Sequence, residues 1–254
     1  MRSIARALAI VVALLAPSAH ADVPIVSDAA AVEAYRKGDL ATARSEWLAL
    51  LQGPDAPRAA ERARILYDLG NVAFREGKTL EAVGWYTSSR YLRPRDADTW
   101  TNLEHARTAA KLEPADRGDL AATLLRLVSS FTPAESEWIA VGGLFLAAVA
   151  LIGEALRGGR TWRWIAVSGA LAALLASGPW AWQLSIRDSD PLLVVEENKA
   201  LVRSEPGAAA AVVGESSVGS QVERVDELPD WTKIRLDGGL EGWVEKKSVF
   251  ALRR

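Results

Sequence analysis

Residues 134–187 hold two long apolar runs and few charged residues, and this block constrains the chain more than any other feature. The first run covers residues 138–156 and carries one charge, Glu154, near its end. The second covers residues 164–182 and carries none. Nineteen helical residues rise roughly 28 Å, close to the hydrocarbon thickness of a bilayer. Trp138, Trp162, Trp164, Trp180 and Trp182 sit at the ends of these runs, where amphipathic rings settle at headgroup level. The competing reading is a helical hairpin buried in a soluble core. The flanking blocks are too small to bury two such helices on every face. The pattern predicts a two-helix transmembrane hairpin, 138–157 and 164–184, around a cytoplasmic turn at 158–163.

The flanks set its orientation. Arg157, Arg160 and Arg163 surround the turn, whereas Glu135, Glu137, Asp188 and Asp190 lie at the outer ends. The positive-inside rule places the turn in the cytoplasm and both soluble blocks on the other side. Residues 1–21 point the same way. Arg2 and Arg6 precede an apolar stretch, Pro17 breaks it, and Ala19-His20-Ala21 has the small-x-small form of a signal-peptide cleavage site. An uncleaved anchor would export the next domain equally. Gly142, Gly143, Gly169 and Gly178 should let the two membrane helices approach closely. Glu154 should snorkel towards Arg157 or Arg163.

Composition excludes several chemistries. There is no cysteine, so disulfides, thiolate catalysis and Cys-ligated metals are out. Of two histidines, His20 lies in the leader, which leaves His105 alone in the mature chain. No G-x-S-x-G nucleophile motif occurs. We therefore expect no enzyme activity and no cofactor. No block is strongly basic, so no nucleic-acid partner is expected.

Between leader and hairpin, residues 63–96 carry Leu66, Leu69, Gly70, Gly77, Ala82, Tyr86, Ser89 and Pro94 at spacings that resemble a tetratricopeptide repeat. Small Gly70 and Ala82 suit a close helix crossing, and Pro94 closes the second helix. Ala34, Gly38, Ala43 and Trp47 repeat the places of Ala73, Gly77, Ala82 and Tyr86 upstream. Trp100 and Leu103 begin a capping helix over residues 98–112. The expected all-α repeat domain is 22–117, followed by an amphipathic connector at 118–137 with Leu120, Leu124, Leu127, Val128 and Phe131. The resemblance implies a concave groove lined by the first helix of each pair. Arg36 and Arg75 hold equivalent places there, preceded by Tyr35 and Phe74. Asn71 lies one turn earlier, and His105 is its counterpart on the cap. These four, Arg36, Asn71, Arg75 and His105, are the candidate partner-binding residues, suited to an acidic segment. A solvated role for both arginines, with Tyr35 and Phe74 in the core, is the alternative.

After residue 190 the period changes to short strand-like runs punctuated by Gly and Pro, the pattern of a small all-β barrel. Residues 200–207 (ALVRSEPG), 212–214 (VVG), 231–236 (WTKIRL) and 242–244 (GWV) together resemble a bacterial SH3-like (SH3b) domain, placed at 190–254. Ile234 and Leu236 should face the core, which puts Trp231 on the opposite side with Lys233. Arg203 and Trp231 are the candidate binding residues here, unless a loop folds over Trp231. Trp243 is expected in the core.

The chain thus reads as a multidomain membrane protein whose order of parts, with FTPAESEW at 131–138, resembles the BatE proteins of the Bacteroides aerotolerance (Bat) group. That resemblance implies an inner-membrane scaffold or adaptor with periplasmic soluble domains. Its partners would be von Willebrand-A Bat proteins and a MoxR-type AAA ATPase system. The alternative is an envelope sensor or anchor whose SH3b domain binds cell-wall peptides. Because the hairpin separates the two soluble domains, weak coupling between them is expected.

Overall fold

The computed structural model describes residues 27–53, 57–114, 123, 130–131, 133–187, 190–196 and 198–252. The leader at 1–21 and most of the connector, with Leu120, Leu124, Leu127 and Val128, lie outside the described residues. So do the side chains of Arg157, Trp180 and Trp182.

Among the described residues, five helices form the N-terminal region: α1 (Ala29–Lys37), α2 (Leu40–Gln52), α3 (Ala59–Arg75), α4 (Thr79–Leu92) and α5 (Ala97–Ala109). The α1–α2 and α3–α4 turns are copies of each other. Gly38 N–H donates to Tyr35 O at 3.1 Å and Asp39 N–H to Ala34 O at 2.9 Å. Gly77 N–H and Lys78 N–H donate to Phe74 O and Ala73 O at 3.0 and 2.9 Å. Both glycines are left-handed, with φ of 82° and 77°, a conformation that costs glycine no Cβ clash. The two turns therefore share one backbone conformation and one hydrogen-bonding pattern. Asp39 caps α2 through Thr42 N–H, and Asp96 caps α5 through Thr99 N–H.

Each pair buries the same places: Ala43 and Trp47 in the first, Ala82 and Tyr86 in the second. Gly70 lies under the Tyr86 ring; a Cβ there would sit 2.5 Å from Cε1. The pairs are tied by Arg44 of α2, which donates to Glu76 at 2.7 Å and also to Glu81. Arg64 of α3 reaches back to Asp28. On α5, Leu103 and Ala106 are buried against this stack, and Arg90 lies over the Trp100 ring at 4.3 Å.

Two long helices follow, α6 (Pro133–Arg157) and α7 (Arg160–Arg187), packed antiparallel. Among the described residues, α6 alone is long and apolar enough to cross a membrane, over Glu135–Leu156. The helices approach closely at Gly143 and Gly169. A Cβ on either would lie 2.7 Å from the other's carbonyl oxygen. Gly142 and Gly178 face open space, so only one glycine of each expected set serves the crossing. Glu154 pairs with Arg163 across the turn. Arg95 pairs with Glu135, which ties the start of α6 to the helical region.

The C-terminal region is a seven-stranded antiparallel sheet: β1 (Pro191–Val194), β2 (Ala200–Arg203), β3 (Val212–Ser216), β4 (Gln221–Glu227), β5 (Trp231–Arg235), β6 (Glu241–Glu245) and β7 (Val249–Ala251). The strand order is β3-β2-β6-β5-β4-β1-β7. Leu192, Val194, Ala200, Val202, Val222, Ile234 and Val244 form its core.

The expectation of weakly coupled domains is wrong. Leu193 and Leu252 of the β region belong to the helical core, with Val195 and Phe250 packed against it. Trp85 of α4 meets Phe250 edge-on, centroids 4.9 Å apart at 80°. Tyr91 O–H donates to Gln221 at 2.9 Å. Sequence distance is a poor guide to contact here, because a hairpin returns the chain close to where it left.

Candidate functional site

Two surfaces carry the candidate residues. On the helical region, Arg36 and Arg75 occupy equivalent turns but different environments. Arg75 of α3 lies over the Tyr35 ring of α1 at 4.6 Å and donates to the Tyr35 carbonyl at 3.2 Å. This cation–π contact and hydrogen bond hold the guanidinium at the seam between the pairs. Arg36 is exposed, with no such aromatic platform among the described residues. Phe74, beside Arg75, is 39 % exposed and so is not core. Tyr35 is half-buried against Trp47, centroids 5.9 Å apart.

Asn71 is engaged inside the fold. Its carbonyl oxygen accepts from Tyr86 O–H at 2.8 Å and from the Asn102 amide at 3.0 Å, and Asn102 also reaches Tyr67 at 2.9 Å. Asn71 thus links α3, α4 and α5. The cap residue facing it is Asn102, one turn before His105, which is exposed on α5. Repeat arithmetic pointed to His105, while the hydrogen-bonding partner has no apolar or spacing signature to reveal it.

Beside this network, burial pushes the Asp68 carboxyl up to about 6 and nearby Asp28 adds to the rise, against the opposing effect of Arg64 and a hydrogen bond from Asn71. Arg64 lies 3.6 Å away but also serves Asp28. Because the folded value exceeds the unfolded one, this group's contribution is fully present below about pH 4 and is lost as pH rises through about 6. Asp68→Asn is therefore expected to stabilise the protein at pH 7.5, by roughly 1–3 kcal/mol. The gain should shrink towards pH 4. Urea melts at both pH values check this; an equal effect at both would remove Asp68 from the pH dependence.

On the β region, strand register lays out one face. Thr232 and Ile234 of β5 are buried, so Trp231, Lys233 and Arg235 project from the other side. Trp243 lies opposite Lys233 across β5–β6 and opposite Arg203 across β2–β6. It is half-buried on the Trp231 face and outside the core, contrary to expectation; Gly242 and Val244 hold the buried places. Alternation from Val244 could have revealed this.

The charges on this face are largely spent on one another. Glu241 takes Lys233 at 2.9 Å and Arg235 at 2.8 Å, and Arg235 also reaches Glu223 at 2.7 Å. Hydrogen bonds from Lys233 and Arg235 hold the Glu241 carboxyl below its ordinary range. Arg203 donates to the Ala210 carbonyl at 2.8 Å and so clamps the loop after β2. Surface ion pairs contribute little, about 0–1 kcal/mol each. Trp231 and Trp243 are half-exposed rings on this face, and aromatic anchors dominate protein-recognition surfaces in general.

No curated protein matches the chain. The bacterial SH3 domain family matches residues 199–250, about a fifth of the chain. With the all-β topology above, this shows that the β region contains a bacterial SH3 domain, to which β1 is added from outside the matched span.

Proposed function

We propose that this protein is a non-enzymatic, membrane-anchored scaffold that presents two binding modules, a tetratricopeptide-like groove and the SH3 domain, on the periplasmic face of the inner membrane. The carrying observation is the core shared by residues before and after the hairpin. Domains that touch lie on one side of a bilayer. If α6 crosses, the chain must come back, and α7, 28 residues long, packs antiparallel against it. Arg160 and Arg163 at the turn favour the cytoplasm for that end. The duplicated glycine turns and the Gly70–Tyr86 crossing support the tetratricopeptide reading. The Bat-group assembly with a MoxR-type ATPase rests on the order of parts alone.

The Trp231–Trp243 face favours a second reading, an envelope sensor or anchor that grips cell-wall peptides. Its charges are internally paired and its aromatic rings are half-exposed, which suits a small ligand with little net charge. Crosslinking pull-down from native membranes separates the two. A scaffold captures proteins, and Trp231→Ala/Trp243→Ala or Arg36→Ala/Arg75→Ala should lower that capture about tenfold or more. A sensor yields muropeptide fragments, lost only in the tryptophan double variant. Unchanged capture in both double variants would remove both surfaces from function.

A further inference from the structure

β1 is buried on both faces, unlike a half-solvated antiparallel strand. Its residues alternate between two cores: Leu192 and Val194 pack in the β core, Leu193 in the helical core, with Val195 packed against the latter. β7 and the residue after it do the same. Val249 and Ala251 pack against the β core, Phe250 and Leu252 towards the helices. The two strands pair in register, Leu192 with Ala251, Leu193 with Phe250 and Val194 with Val249. They form the two-stranded edge of the sheet that lies between the rest of the β region and α4.

α4 is shaped to receive this layer. Every residue from Ala82 to Ser89 is buried. Such all-round burial needs neighbours on every side, and among the described residues β7 joins α3 and α5 in packing against this helix. Gly84 sits mid-helix where glycine is otherwise unfavourable, and the Phe250 ring occupies the place a Cβ would take. Leu112, after α5, packs at Gly219 in the turn between β3 and β4.

We infer that residues 190–196, with Phe250 and Leu252, are a docking element that makes the bacterial SH3 domain an obligate part of the helical region. The α6–α7 hairpin is then an insertion into one cooperative soluble body. The SH3 domain does not swing on a tether. A protein partner that engages both modules meets two surfaces held at a fixed spacing, so its second contact is intramolecular.

Hydrogen exchange of the full chain in detergent tests this. Phe250→Ala should raise exchange in β1, β7 and α4 together, by about tenfold or more, although α4 is unaltered in sequence. Gly84→Val, made on the helical side, should raise exchange in β1 and β7 likewise. Loss of both regions at once from either substitution supports the same conclusion. Tyr91→Phe removes only the bond to Gln221 and should give a smaller rise on both sides. Effects confined to the mutated side, in all three variants, would overturn the proposal.

Discussion

Gly70→Leu is expected to unfold the helical region and to loosen the SH3 domain with it. A Cβ at this position would lie 2.5 and 2.6 Å from two Tyr86 ring carbons. Tyr86 has nowhere to go. It is 2 % exposed, its hydroxyl bonds Asn71, and its ring packs on Tyr67 with centroids 5.8 Å apart. Overpacking costs about 1–3 kcal/mol. Displacing the ring also orphans the Asn71–Tyr86 hydrogen bond, at about 1–3 kcal/mol for a buried polar group. Small domains hold only about 5–15 kcal/mol in total. The melting temperature followed by circular dichroism should fall by about 5–20 °C, at roughly 2–4 °C per kcal/mol for a cooperative body of this size. The β signal should weaken in the same transition, because α4 carries Tyr86 on one side and supports Phe250 on the other. An unchanged melting temperature would mean that Gly70 is not a crossing point.

Gly143→Leu should separate α6 from α7, whereas Gly142→Leu should be nearly silent. The contrast comes from adjacent residues. A Cβ at Gly143 meets Gly169 O at 2.7 Å and Ala173 N at 2.9 Å, and these are backbone atoms that no rotamer change can move aside. A Cβ at Gly142 meets nothing within 4 Å. In a bilayer, helix pairs have no hydrophobic drive to associate and depend on close packing of small residues. The cost at Gly143 is expected to reach about 1–3 kcal/mol or more. In detergent micelles the full chain should melt about 5–10 °C lower, at roughly 2–4 °C per kcal/mol. Equal melting of the two variants would place the crossing elsewhere.

The readings that succeeded concern neighbours in sequence. Gly38 and Gly77 mark the two helical turns because only a left-handed residue closes them cheaply. Ile234 and Trp231 fall on opposite faces because strand period is two. The bacterial SH3 domain was legible from its short runs and turn residues, and residues 199–250 match that family. The candidate binding residues were less legible. Arg36 and Arg75 are equivalent by repeat offset, yet only Arg75 finds a ring beneath it, since Tyr35 comes from the preceding pair. Asn71 looked like a groove residue and is instead bonded to Tyr86 and Asn102.

By itself, then, the sequence determined the local devices: glycine turns, strand alternation, and an apolar stretch long enough to cross a membrane. These follow from backbone sterics and hydropathy within a few residues. Only the tertiary structure decided that β1 is buried on both faces, that Gly84 exists to admit Phe250, and that two regions about 165 residues apart share a core. Such contacts depend on which surfaces the hairpin brings back together. A strand carries no local mark of a second core on its far side beyond being apolar throughout, as Pro191–Val194 is.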